Sequence, residues 1–495
     1  MVSQFIQQLT DFMGNPTDLT VHPLPPAKGT DPEAVLLYLS SITDASKIRE
    51  WFLQPVLSAL VHNQDISDVA ELFVHHGFPV NGSTIEKKVS AIALQLYEGK
   101  CVLLVNGQQK AVAVDVSQWH DRSVTAPEIE HSIIGPRDAF VEDIAANVSM
   151  IRRRIRHENL IVESFEIGNK SRTQVNLVYM KGLVNHQVLE QLQQRLQATN
   201  LDVLLDTTQL ADLIVNKGKS FNPFPLFQVT ERPDKVVASI MEGRILLLVD
   251  ATPTGALFPA TVTALYQTTD DYYFPALSGT FIRIVRYVGL LITLFLPGIY
   301  VSITSVNYDV LRIQFMLAVA ASREGVPYPA YIEVLIMMTL LELINEATVR
   351  LPKVIGGTAT IVGGLIIGAS VAQSHLVGNI MIVITGAVAI GSFTVANYMI
   401  GVAWRICSYA LALLAIPWGL NGIAIGSAFI LLFLCHFKSL GVPYLSPLST
   451  WQFKDFFKDM LFRLPLMLHA IRPSIYSQAA KGTKRLSLQE GEDTL

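Results

Sequence analysis

Cysteine occurs three times in 495 residues, as Cys101, Cys407 and Cys435. That is too few and too scattered for a disulfide framework or a cysteine-ligated metal site. Charge is also sparse, at 16% of the chain with a net of −4 and no basic stripe in the polar part, so no nucleic-acid partner is expected. The first forty residues lack a basic segment followed by an uninterrupted apolar one. No targeting peptide is expected, and the polar region is expected to stay in the cytoplasm. A nucleophile elbow, an HExxH pair and paired catalytic acids are missing as well, so neither an enzyme nor a cofactor is predicted. The adjacent His75 and His76 have no second ligand at metal spacing and read as a solvated loop.

Hydrophobicity is abundant, and it is unevenly spread. Residues 281–436 carry 12 charged side chains in 156 positions, against 66 in the other 339. Between Lys353 and Arg405 lie 51 residues without a formal charge, and between Arg405 and Lys438 another 32. A helical crossing of a bilayer needs about 20 apolar residues, which makes 281–436 a polytopic transmembrane domain. The expected spans are 282–303, 329–348, 355–373, 376–400, 403–418 and 420–436, with 310–322 too short to cross and read as re-entrant or interfacial. Arg283 and Arg286 flank the first span, and the basic residues of the 437–495 tail lie nearest the membrane. Both ends are therefore predicted to be cytoplasmic, which an even number of crossings allows. The tail stretch 451–468 alternates Phe and Leu with Lys, Arg and Asp and reads as interfacial or packed on the polar region; the last residues have little to bury.

The polar region repeats itself. Glu98-Gly99-Lys100 and Glu242-Gly243-Arg244 each follow an amphipathic helical pattern and precede a five-residue apolar run, CVLLV or ILLLV. Glycine suits the left-handed position after a helix, a basic neighbour suits its dipole, and the short apolar runs suit buried strands. The fold class read from this is multi-domain: two related α/β subdomains, 32–124 and 135–259, after an N-terminal extension of 1–31, then the helical transmembrane domain and a short tail. Phe140, Ile144, Val148 and Ile151 form the buried face of one predicted helix, whose Arg152 to Arg154 end reads as solvated rather than as a phosphate or acidic-partner site. Pro233 is placed at a helix start, with Thr230 or Glu231 as the cap.

Ionisable residues inside spans are costly unless they face a bundle interior or a wet cavity. Glu342, Glu346 and Arg350 fall at i, i+4, i+8, on one helical face. They suit either a charged vestibule or, for Glu346 and Arg350, a pair at the headgroup boundary. Residues 351–373, LPKVIGGTATIVGGLIIGASVAQ, hold five glycines. The Gly-Lys-Ser/Thr ending of a phosphate-binding loop is missing there. On a helix, Gly357, Gly364 and Gly368 line a small-residue packing stripe, while Thr358, Val362, Ile366 and Gln373 lie roughly opposite. The free face can pack or can line a pore gated by apolar side chains.

Long strings at 135–155, 222–253, 322–352 and 356–377, with TDDYYF at 269–274 and GVPYLSPL at 441–448, strongly resemble the A subunits of the GerA family of spore germinant receptors. The resemblance runs from about residue 33 to 470; Thr348 stands where the family more often has glycine. It implies a spore inner-membrane protein acting with a transporter-like B subunit that senses the nutrient and a lipoprotein C subunit. It further implies a homo-oligomeric, pentameric, nutrient-gated cation channel. On that basis Val362 and Ile366 are mapped to the constriction, Thr358 and Gln373 to its ends, and Glu342 and Glu346 to a cation-favouring vestibule. Alternatives are a non-conducting scaffold, a homologue of the SpoVA-operon type, and a secondary transporter with an interruption at Pro417, Gly419 and Gly422; TDDYYF fits the receptor branch better.

Overall fold

The computed structural model describes residues 2–14, 16–24, 34–54, 82–105, 110–117, 127, 130, 133–216, 221–350, 364, 368–370, 373–448 and 462–463. The chain divides into two compact units, one built chiefly from residues 1–220 and 227–259, the other from 221–226 and 260–467.

The first unit holds two five-stranded antiparallel sheets of the same topology. Strands β1 (Leu19–Pro23), β2 (Ala34–Leu39), β3 (Gly82–Glu86), β4 (Lys100–Val105) and β5 (Lys110–Asp115) lie in the order β1-β2-β4-β5-β3. Strands β6 (Leu160–Ile167), β7 (Thr173–Met180), β8 (Gln228–Thr230), β9 (Ile245–Val249) and β10 (Gly255–Phe258) lie in the order β6-β7-β9-β10-β8. The second order is the first with every strand replaced by its counterpart. Among the described residues, the α-helices of this unit are α1 (Val2–Phe12), α2 (Ala45–Ile48), α3 (Val89–Tyr97), α4 (Ile144–Arg154), α5 (His186–Gln197), α6 (Thr207–Asn216) and α7 (Pro233–Met241). In each half a helix, α3 or α7, runs through a left-handed glycine into the central strand, with φ of +83° at Gly99 and +98° at Gly243. A side chain at Gly99 would also place its Cβ 2.7 Å from that of Ser117, so the position excludes other residues on both counts.

Pleating sorts the strand residues onto faces. Val35, Leu37, Val102 and Leu104 meet Leu9 and Met13 beside Ile92 and Leu96. Residues 2–23, read from the sequence as an extension ahead of the first subdomain, thus supply a core helix and an edge strand to its sheet. In the second half Leu160, Val162, Leu246 and Leu248 pack on Ile144, Val148, Ile151, Val236 and Ile240. All five residues of ILLLV are buried, which explains an apolar run with no polar alternation.

Three local readings change. Asp143 caps α4 by accepting from the amides of Ala145 (2.9 Å) and Ala146 (3.4 Å), so Phe140 precedes the helix in extended chain yet still enters the core. The cap of α7 is Arg232, whose amide donates to Thr230 Oγ1 at 3.2 Å. Arg152 is not solvated. Its Nη2 donates to Asp18 Oδ1 at 2.8 Å, its guanidinium lies 5.5 Å from the Tyr97 ring centre, and Ser41 Oγ donates to the other Asp18 oxygen. Arg152 thereby ties α4 of the second half to β1 and α3 of the first. Arg153 is exposed and Arg154 pairs with Asp138.

The second unit is helical: α8 (Val262–Tyr266), α9 (Asp270–Tyr273), α10 (Ala276–Ser305), α11 (Ile313–Ser322), α12 (Ala330–Arg350), α13 (Asn379–Phe393) and α14 (Tyr398–His436). Helices α10 and α14 have a mean hydropathy of 1.9 and enough length to cross a bilayer. At 10 residues α11 is too short. The turn expected near residue 401 lies at 394–397, where Asn397 caps α14 by accepting from the amide of Met399 at 3.0 Å. Helix α14 is itself a hairpin. Gly419 adopts φ 55° and ψ −135°, a region open essentially to glycine alone. A Cβ on Gly426 would lie 2.6 Å from Leu411 Cδ2, although a straight helix would separate those residues by about 22 Å. Pro417, Gly419 and Gly422 thus mark a tight reversal between two antiparallel arms, not a mid-span interruption. Asn307 Oδ1 secures the reversal by accepting from the Leu420 amide (2.9 Å) and Ser302 Oγ (3.1 Å).

Asp18→Ala should leave the Arg152 guanidinium buried without its carboxylate and destabilise the first unit by about 3–5 kcal/mol. Chemical denaturation followed by circular dichroism checks this; an unchanged midpoint would remove Arg152 from the account of how the halves are joined.

Candidate functional site

The foot of α10 is the most densely paired polar cluster of the second unit among the described residues. Asp271, on α9, is buried. Its Oδ2 accepts from Arg283 Nε (3.1 Å) and Arg286 Nη1 (3.0 Å), and its Oδ1 from Arg286 Nη2 and Thr268 Oγ1 (both 3.0 Å). Arg286 also donates to the Tyr266 carbonyl at 2.6 Å. Burial alone would push the Asp271 carboxyl up, but the hydrogen bond and charge of Arg286, with the charge of Arg283, outweigh it and hold the group below its ordinary value. Sequence reasoning found both arginines as flanking charges and missed their partner. The signal was inside TDDYYF, but separations of 12 and 15 residues match no helical repeat.

Further along, α10 meets its neighbours backbone to backbone. A Cβ on Gly289 would lie 3.1 Å from the Gly391 carbonyl oxygen, and one on Gly391 would lie 2.7 Å from the Gly289 oxygen. Ser408 Oγ, from the first arm of α14, donates to the Thr293 carbonyl at 2.7 Å. Small residues let the chains approach, and a hydroxyl then satisfies an otherwise bare carbonyl.

The charged residues of α12 do not act as one face. Glu342 Oε1 accepts from Arg405 Nε of α14 at 2.9 Å, while Glu346 accepts from Arg350 on its own helix, where both side chains are exposed. Glu333, fully buried at the other end of α12, accepts from Arg323 Nε and from the Gly378 amide, each at 2.9 Å. Sequence reasoning left Glu333 and Arg405 out of the site, because their partners lie on other helices or in loops.

Among the pore and packing candidates, Gly357, Thr358, Val362 and Ile366 lie outside the described residues, as do His75, His76 and most of the tail. Gly364, Gly368 and Gln373 have helical backbone, and Gln373 is exposed. A Cβ added to Gly364 or Gly368 would meet nothing within 4 Å among the described residues. Gly289, Gly391, Gly422 and Gly426 are spent on contacts within the chain, while Gly386 of α13 is open like these two.

An α/β module in one chain with apolar helices, two of them long enough to cross a bilayer, defines a membrane-protein class. The description "Bacillus/Clostridium GerA spore germination protein" matches residues 7–475, and the chain belongs to this family as an A-type subunit. Spore germination protein KA of Bacillus subtilis is 31% identical over 95% of this chain and 85% of its own length. GerLA of Bacillus cereus is 31% identical over 97% of this chain and 96% of its own length, and the uncharacterized membrane protein YfkQ of Bacillus subtilis is 33% identical over 93% and 89%. Among solved structures, the N-terminal domain of the A subunit of the Bacillus megaterium spore germinant receptor GerK3 matches with 27% identity and a TM-score of 0.39, covering 52% of this chain and 94% of that one.

Two substitutions probe the pairing. Asp271→Asn should strip the charge from between two buried arginines and destabilise the second unit by about 3–5 kcal/mol, read as a lower thermal unfolding midpoint at neutral pH. Because the folded value lies below the ordinary 3.8, the wild-type contribution is fully present above pH 3.8 and is lost as pH falls through the depressed value; the variant should lack that acid step. Glu342→Arg and Arg405→Glu should each lower the yield of folded protein, and the double swap should recover it.

Proposed function

We propose that this chain is the A subunit of a nutrient germinant receptor that forms a homo-oligomeric, pentameric, nutrient-gated cation channel in the spore inner membrane. Both of its termini are cytoplasmic. A B-type subunit senses the nutrient and a C-type lipoprotein completes the receptor. The observation that carries the reading is a difference between glycines: Gly289, Gly391, Gly422 and Gly426 are closed by tight intrachain contacts, whereas Gly364 and Gly368, like Gly386 of α13, meet nothing within 4 Å among the described residues. An open small-residue stripe on an apolar helix fits packing against further copies, which would turn the face bearing Thr358, Val362, Ile366 and Gln373 toward a shared axis. Val362 and Ile366 then close the path by dewetting. Glu346 and Arg350, exposed in the single chain, sit near a mouth, while the Glu342 carboxylate is committed to Arg405 in this conformation.

A non-conducting scaffold is the second reading, favoured by the α/β module with its edge strands, and a SpoVA-operon-type homologue is a separate alternative. Potassium release from spores decides between them. Val362→Ala and Ile366→Ala, in receptors that assemble normally, should raise the resting leak and weaken its dependence on nutrient. Wild-type leak and wild-type germination in both variants would overturn the channel reading.

A further inference from the structure

We propose that the foot of α10 holds the phosphate of an anionic membrane phospholipid, gripped by Arg463 beside the first turn of the helix. This inference does not depend on conduction. Arg463 comes from the tail, yet only 8% of it is exposed. Its amide donates to Thr280 Oγ1 at 3.0 Å, its Nη2 donates to the Tyr272 carbonyl, and its Cδ lies 3.2 Å from where a Cβ on Gly279 would sit. The guanidinium therefore reaches from Gly279 back to Tyr272, across the residues that open α10. Its Nε and Nη1 are buried and carry no hydrogen bond. A buried guanidinium with two idle donor groups is costly unless an anion completes it.

Asp271 is already engaged by Arg283, Arg286 and Thr268. Arg283, Arg286 and Arg463 are all buried, so cationic side chains gather at this end of α10. The helix adds to this. Pro275 at the cap of α10 gives no side-chain hydrogen bond and the first turn contains no acid, so neither offsets the positive end of this 30-residue helix.

A free anion would explain the charge alone. The surroundings add an apolar requirement: Leu277 is 84% exposed, Phe281 66% and Phe462, next to Arg463, 45%. These large side chains lie in the first two turns of an apolar helix and in the adjoining tail, where a lipid presents its headgroup above its acyl chains. A phosphodiester on Arg463 with its chains along Leu277 and Phe281 satisfies both demands.

The test uses full-length protein in detergent, titrated with dihexanoyl phosphatidylglycerol or with inorganic phosphate and read by native mass spectrometry and by thermal unfolding. Wild type should take up one phosphatidylglycerol per chain saturably, with a rise in unfolding midpoint. Arg463→Gln should weaken that uptake at least tenfold, Arg463→Lys less so, and Phe281→Ser, at an exposed position, should weaken lipid uptake in a normally folded protein. Inorganic phosphate that gives the same midpoint rise at the same concentration would overturn the lipid assignment in favour of a free anion. Lipid uptake unchanged in Arg463→Gln and Phe281→Ser, or absent from wild type, would overturn the site.

Discussion

One carboxylate, Asp271, sets the base on which the helical unit stands. It gathers Arg283 and Arg286 from successive turns of α10, and α10 is the helix on which both α13 and α14 pack. Water cannot rescue an unpaired charge within the hydrocarbon, so each must find a partner in the protein or stay near an edge. The described charges follow that rule. Arg405 has Glu342, Arg323 has Glu333, and the exposed pair Glu346 and Arg350 lies at the end of its helix. Pairing across helices also fixes their order, since a slip of one turn would strand both members of a pair.

Close backbone approach is the second constraint, and glycine provides it. Gly289 against Gly391, and Gly422 and Gly426 across the α14 hairpin, bring helices to distances that any side chain would forbid. Van der Waals contact and hydroxyl-to-carbonyl bonds then hold the bundle together where the hydrophobic effect contributes little. Gly364 and Gly368 meet no such neighbour among the described residues. The Glu342 to Arg405 pair links α12 to α14 in the same region, so sliding one of these helices past the other would break it.

Much of the architecture was legible because it rests on local chemistry. The Glu-Gly-basic repeats led to two helix-to-strand connections with left-handed glycines, and charge-free lengths led to the apolar helices. The reversal at Gly419 was visible as a break between two apolar stretches, but only its backbone geometry separates a hairpin from an interrupted span. What escaped was long-range pairing. Arg152 looked solvated because Asp18 is 134 residues away. Asp271 looked like part of a turn motif, and α1 looked like an extension because its partner strands come later in the chain. Helical spacing placed Glu342, Glu346 and Arg350 on one face, and the helices beside that face then divided them.

The most direct test of the account is single-channel recording from the purified receptor, containing this chain with its B and C subunits, in a planar bilayer. Candidate amino acids are added in turn. The account predicts monovalent cation current that rises on adding the one that triggers germination and falls on its removal. A bilayer that stays silent with verified, oriented complex would contradict it and leave the open glycines as a packing surface for a subunit that signals without conducting.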